Sequence, residues 1–266
     1  MNKKILLTQQ DFNLNLHHMK MVTKTRNRII ILSCCILLNI HLPFSIKAQN
    51  PVEESFSFPA DPVQEEWTYQ RLENCIISTM IIRSDWAELP PDNNTIKGFY
   101  HAERKPVEFI GIHHDGSSNV TLKSILEYHV KTNGWGDIAY HFIIDKNGLI
   151  YEGRSIDRTS DTNYVSESYG KERLSSIVNI LLLGNYDVEK VQTDSPQIES
   201  TKLLVSYLYL KYPLVTLDSI RGHRDFIADS ESAKSLITCP GKNMYSPVNI
   251  IDEIKNFVSI VSNSAH

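Results

Sequence analysis

Apolar residues change their period several times along this chain, and each change marks an element. The stretch Val107 to Asp115, Val-Glu-Phe-Ile-Gly-Ile-His-His-Asp, fits a buried strand that ends in two imidazoles. A second run, Ser176 to Leu183, is broken only by Asn179 and closed by Gly184-Asn185. Both runs look covered on two faces, as in parallel sheets. Ala139 to Ile144 and Leu149 to Gly153 are shorter strands joined through Asp145-Lys146-Asn147-Gly148, where Asn-Gly signals a hairpin and therefore antiparallel pairing. The β-branched residues from Cys75 to Ile82 suggest a short edge strand.

Helical spacing replaces alternation in three places. Leu122, Ile125, Leu126 and His129 fall on one face behind Thr121, a plausible N-cap. His129 on that apolar face reads as a satisfied packing residue rather than a ligand. Ser195-Pro196 opens a helix to about Lys211, with Ile198, Leu203, Tyr207 and Leu210 facing inward, and a last helix spans roughly Val248 to Val261. Gly116 to Asn119 reads as a turn, and Leu89 to Thr95 and Ser160 to Arg173 as surface loops. Strands alternating with helices predict an α/β class, a single domain whose central mixed β-sheet is flanked by helices.

Composition adds an address. With 41% hydrophobic residues and a net charge of -4, the chain is ordinary for a globular protein, and no basic excess points to nucleic acid. Lys24, Arg26 and Arg28 precede the apolar run Ile29 to Leu38, which polar Asn39 and then Pro43 interrupt. Residues 1–48 therefore read as a signal peptide, with Met19 and Met21 as candidate start sites and no span in the mature chain. Ile31-Leu32-Ser33-Cys34 is the weaker, lipoprotein alternative. Residues 49–71 are a polar linker, and the domain runs over 72–262. Export is to the periplasm or beyond, as a monomer.

Cleavage after Ala48 leaves Cys75 and Cys239. Either these two pair in the oxidising compartment, or Cys239 binds metal, and its Cys-Pro-Gly setting favours the metal. The histidines at the end of the buried strand, Gly222-His223-Arg224-Asp225 and Thr238-Cys239-Pro240-Gly241 together offer two nitrogens and one sulfur. That donor set suits zinc with a fourth position open.

In these residues the sequence resembles the zinc-dependent N-acetylmuramoyl-L-alanine amidases, in the form shared with peptidoglycan recognition proteins and phage T7 lysozyme. Arg83-Ser84-Asp85-Trp86, Ile112-His113-His114, Gly134-Trp135-Gly136-Asp137-Ile138-Ala139-Tyr140-His141-Phe142, Tyr151-Glu152-Gly153-Arg154, Gly222-His223-Arg224-Asp225 and Cys239-Pro240-Gly241 match in the family's order. The resemblance implies that His113, His223 and Cys239 hold Zn2+ and that Tyr140 is catalytic. It implies peptidoglycan or muropeptides as substrate, with His114, Gly134, Trp135 and Arg154 in contact with it. In the recognition proteins a Gly-Trp pair goes with meso-diaminopimelate, whose extra carboxylate an arginine resembling Arg154 is placed to meet.

Two departures stand out. The family places Lys or Thr two residues before the cysteine, where this chain has Ile237, and an insertion around Asp229 to Ser235 lengthens the His223 to Cys239 segment. Thr238 is the expected replacement, with Ser235 and Lys234 as alternatives. A recognition module that binds without cutting, and a cysteine peptidase using Cys239 with His223 as base, are the rival readings.

Overall fold

The computed structural model of the chain describes residues 68–95, 104–160, 171–226 and 237–265. The expected signal segment 1–48, the linker up to residue 67, residues 161–170 of the polar loop, and the insertion with Lys234 and Ser235 lie outside the described residues. No described helix is long and apolar enough to cross a membrane.

Among the described residues, β1 (Phe109–His114), β2 (Phe142–Ile144), β3 (Ile150–Glu152), β4 (Ile177–Leu182) and β5 (Ile220–Gly222) form one sheet. Its order is β3-β2-β4-β1-β5. β1 lies between β4 and β5 and is parallel to both; β2 is parallel to β4, and β3 closes the edge antiparallel to β2. The sheet is mixed as expected, and the hairpin turns where Asn-Gly placed it. Gly148 takes φ +80, and a Cβ there would fall 2.6 Å from the Pro196 carbonyl oxygen. Asp145 Oδ1 accepts from the backbone N–H groups of Asn147 and Leu149 across the same turn. β5 escapes sequence reading because Ile-Arg-Gly has no flanking turn signal like the Asn-Gly that marks β2 and β3, which are equally short.

Among the described residues, α-helices of six residues or more cover the sheet: α1 (Tyr69–Thr79), α2 (Leu122–Glu127), α3 (Pro196–Lys211) and α4 (Ile250–Ser264). Because strand side chains alternate, Ile110, Ile112, Val178, Ile180, Leu182, Phe142 and Ile144 all point to one face and bury against α1, α3 and α4. The other face carries two small apolar clusters. Phe109 and Ile177 pack with Leu174 and Phe226, while Ile143 and Leu181 pack with Ile125 and Leu126 of α2. Between those clusters lies a polar row that holds the candidate site.

Caps agree with the local sequence. Thr121 and Ser124 form a reciprocal capping box on α2, and Asn249 Oδ1 accepts from two N–H groups at the start of α4. Pro196 opens α3 as expected, although the Ser195 side chain makes no cap. α2 continues as a π-helical turn, Tyr128–Thr132, that buries His129. Its Nδ1 accepts from the Ala139 N–H at 3.2 Å, which is the packing role expected of it.

The expected edge strand from Cys75 to Ile82 is corrected. α1 carries that sequence as far as Thr79, capped by Thr68 Oγ1, and only Ile81 makes a bridge, to Tyr151. Leu72 and Ile76, four apart, are both buried in the cluster shared with α3. Burying that pair outweighs a strand preference worth only about 1 kcal/mol. The helix also begins before Leu72, the expected start of the domain.

The turn after α1, Arg83–Trp86, is tied inward by charge. Arg83 Nη2 lies 2.7 Å from Asp137 Oδ1, and the carboxyl is fully buried. Arg83 N donates to Glu152 Oε2 and Trp86 Nε1 to the Glu152 carbonyl, which fixes the turn to β3. Burial raises the Asp137 pKa to about 6 against the opposing Arg83 charge. Its folded value therefore lies above its unfolded one, so this group's contribution to stability falls as pH rises from about 4 to about 6. Arg83→Ala, which strands the carboxylate, is expected to cost about 3–5 kcal/mol in urea unfolding at pH 7. The loss should shrink below pH 6, where Asp137 takes up a proton.

Candidate metal centre

His113 and His114 are adjacent on β1 and so point to opposite faces. His113 turns into the polar row and is 1% exposed. Parallel pairing of Ile112 with Gly222 sets His223, the next residue after β5, beside it, with ring centroids 4.8 Å apart. Cys239 arrives third, its Sγ 3.7 Å from His113 Nδ1. One ligand atom from each of His113, His223 and Cys239 lies within 4.8 Å of the other two, a spread that one small ion can draw together. These are the three expected ligands.

The loop bearing Cys239 is held at several points. Arg224 N donates to the Cys239 carbonyl at 2.9 Å, which joins two ligand segments directly. Asp187 accepts from Thr238 Oγ1 at 2.7 Å and from Lys242 N at 3.0 Å, one on each side of the cysteine. Gly241 sits at φ +106, where a Cβ would come 2.5 Å from the Tyr186 backbone. A Cβ on Gly222 would fall 1.8 Å from the Tyr245 hydroxyl oxygen, so glycine is required next to His223 as well. Neither Cys75 nor Cys239 is in a disulfide.

Burial sets the protonation of the trio. It holds the His113 imidazole well below its ordinary pKa, with help from the neighbouring His223, and brings His223 down to about 4. Both rings are neutral at pH 7, as ligands must be. Burial pushes the Cys239 thiol up to about 12, so it stays protonated unless a cation takes the proton's place. Tyr140 stands edge-on to His113, with centroids 5.4 Å apart, and burial raises its phenol far enough to keep it a donor at every working pH.

Other expected site residues fall elsewhere. His114, expected in contact with substrate, packs on the helical face, where Nδ1 accepts from Tyr186 N and the ring stacks on Tyr186, at 8% exposure. Thr238, expected as catalytic, is exposed and its hydroxyl donates to Asp187. Arg154 is 1% exposed; Nε donates to the Ile138 carbonyl, and Nη1 and Nη2 donate to those of Thr159 and Asp137. Its guanidinium, expected to meet a substrate carboxylate, is bonded to the backbone carbonyls of Asp137, Ile138 and Thr159. Gly134 turns the chain at φ +68, and Trp135 lies half-buried against His129 with ring centroids 4.7 Å apart. Sequence reasoning missed Asn179 and Asp187. The only signal for Asn179 was its polarity inside an apolar run.

Residues 103–242 match the family model described as N-acetylmuramoyl-L-alanine amidase. The chain belongs to this amidase family. Peptidoglycan-recognition protein SC2 of Drosophila simulans is 28% identical over 180 residues, covering 64% of this chain and 84% of that protein. Peptidoglycan recognition protein 1 of Bos indicus is 28% identical over 130 residues, covering 46% of this chain and 64% of that one. Among solved structures, the endolysin amidase LysCS from Clostridium intestinale URNW is 26% identical with a TM-score of 0.47, covering 68% of this chain and 95% of that chain. The matching family model is named for an amidase, and the curated relatives are named as recognition proteins.

Protonation of this amidase-family trio gives a calorimetric expectation. Zinc added to the apoprotein at pH 7 should release one proton, from Cys239, and none from His113 or His223, and affinity should rise about tenfold per pH unit above pH 5. Titrations in buffers of different ionisation enthalpy measure that count directly.

Proposed function

We propose that this chain is an exported zinc amidase that hydrolyses the amide between the muramoyl lactyl group and L-alanine of peptidoglycan or its fragments. One observation carries the reading: His113, His223 and Cys239 converge within 4.8 Å, with the Tyr140 ring beside them. Two neutral imidazoles and a thiol are a zinc donor set, and three protein ligands leave room for a fourth partner. When bound, zinc polarises an amide carbonyl and lowers the pKa of a water to near 7.

The chain's own groups do the rest. Tyr140 keeps its proton and can donate to the carbonyl oxygen as negative charge develops there. Family membership supports peptidoglycan or muropeptides as the ligand. The basic cluster and apolar run within residues 24–38 support export. Specificity for diaminopimelate rests on Gly134 and Trp135, a small residue that leaves space for a branch and an indole wall beside it. A second reading, binding without cleavage, is favoured by Ile237 and by the engagement of Thr238 with Asp187, which leave the second polar role unfilled by either residue.

Purified mature protein should contain about one zinc per chain, and mass spectrometry of digested muropeptides should show free stem peptide. His113→Ala and Cys239→Ala should each lose metal and activity together; full zinc retention by either would sink the ligand assignment. An intact amide with zinc bound would establish the second reading. Tyr140→Phe should retain zinc while kcat falls about 10²–10³-fold. Arg154→Ala, on its buried placement, should lower Tm while leaving the ratio of rates on diaminopimelate- and lysine-containing muropeptides unchanged.

A further inference from the structure

Each nitrogen of the His113 ring has a different neighbour. Nε2 lies 2.9 Å from Asn179 Oδ1, and Nδ1 faces Cys239 Sγ. A carboxamide oxygen only accepts, so Nε2 carries the hydrogen and Nδ1 the lone pair. The ligand atom is thereby selected before any ion arrives.

Asn179 reaches His113 because of what stands opposite it. In the parallel register of β1 and β4, Asn179 pairs with Gly111, while His113 pairs with Leu181 one step along the same face. A Cβ at Gly111 would lie 2.7 Å from Asn179 Oδ1 and 3.3 Å from His113 Nε2. Glycine's missing side chain is the space in which the carboxamide lies.

Asn179 is itself anchored. Its N–H donates to His141 Nδ1 at 2.9 Å, its carbonyl accepts from His141 N, and His141 Nε2 donates to the Arg158 carbonyl. A backbone carbonyl therefore fixes the His141 tautomer, His141 steadies Asn179, and Asn179 fixes His113. Every member of the relay is buried or nearly so, and water competes little for these bonds.

We propose that Asn179 is a positioning residue of the metal centre, holding His113 as its Nε2–H tautomer with Nδ1 presented to the ion, and that Gly111 is glycine to admit it. The inference rests on the proposed zinc site for its consequence, but the tautomer itself can be read without metal. Outer-shell partners of this kind typically change metal affinity 10–100-fold.

Nitrogen-15 NMR of the histidine-labelled apoprotein at pH 7 should show His113 as the Nε2–H tautomer alone. Asn179→Leu, matched in the number and branching of side-chain heavy atoms but without an acceptor, should shift it toward a mixture and weaken zinc binding 10–100-fold in chelator competition. Asn179→Asp, which restores the acceptor, should recover the tautomer. Gly111→Ala, which crowds the carboxamide while leaving all three ligands in place, should weaken zinc in the same direction, and it serves if the leucine variant does not fold. Observation of Nδ1–H on His113 in the unmodified protein overturns the proposal without any variant. So does an Asn179→Leu protein that keeps both tautomer and affinity. Failure of the unmodified protein to bind zinc, with the expected tautomer present, refutes the metal reading and leaves the Asn179 contact standing.

Discussion

Parallel pairing of β1 with β4 and β5 is the constraint on which the site depends. A strand with neighbours on both sides and helices on both faces has no route to solvent for its side chains, so any polar group on it must find a partner inside. Alternation then sorts β1 strictly. Ile110 and Ile112 go to the large core under α1, α3 and α4, and His113 goes to the opposite face. The same sorting on β4 puts Asn179 on the His113 side and Ile180 under the helices. Two imidazoles in a row would be a liability in a core if both faced one way; on opposite faces, one joins the donor trio and the other bonds to Tyr186.

Burial of the trio has two consequences that pull together. It keeps His113 and His223 neutral at pH 7, and it keeps the Cys239 thiol from ionising alone. Such a thiol is a poor free nucleophile, since the thiolate is the reactive form. The arrangement therefore weighs against the cysteine-peptidase alternative on electrostatics. A divalent cation reverses the balance by supplying the charge that burial withholds.

Most of this was legible where a residue's chemistry and its spacing agreed. The two long parallel strands, the Asn-Gly hairpin, the Thr121 cap and the grouping of His113, His223 and Cys239 needed only the sequence, because each was signalled by more than one feature. α1 was not legible, since Cys75 to Ile82 is rich in β-branched residues, and the Leu72 and Ile76 pair becomes decisive only when α3 is there to bury it. The hydrogen bonds of Arg154 were not legible either. A guanidinium suits a carboxylate or three backbone carbonyls equally well, and only the fold shows which are within reach. Thr238 stood next to a vacant role in the sequence, yet Asp187 comes from a loop fifty-one residues earlier and claims its hydroxyl.

That Asp187 contact also bears on the longer segment between His223 and Cys239. An insertion between two ligands would be expected to blur their relative position if it alone connected them. Here Arg224 N donates to the Cys239 carbonyl, so the chain leaves and returns through one hydrogen-bonded point. Beyond it, the Tyr186 backbone packs against Gly241 and the Asp187 carboxylate binds on both sides of Cys239, and these contacts belong to the stretch following β4 rather than to the insertion. Loop length adds little to closure free energy once the ends are fixed, roughly 0.6 kcal/mol per doubling. The cysteine is thus positioned by Arg224 and by the Tyr186-Asp187 stretch after β4, and the length of the segment between His223 and Cys239 has little leverage over it.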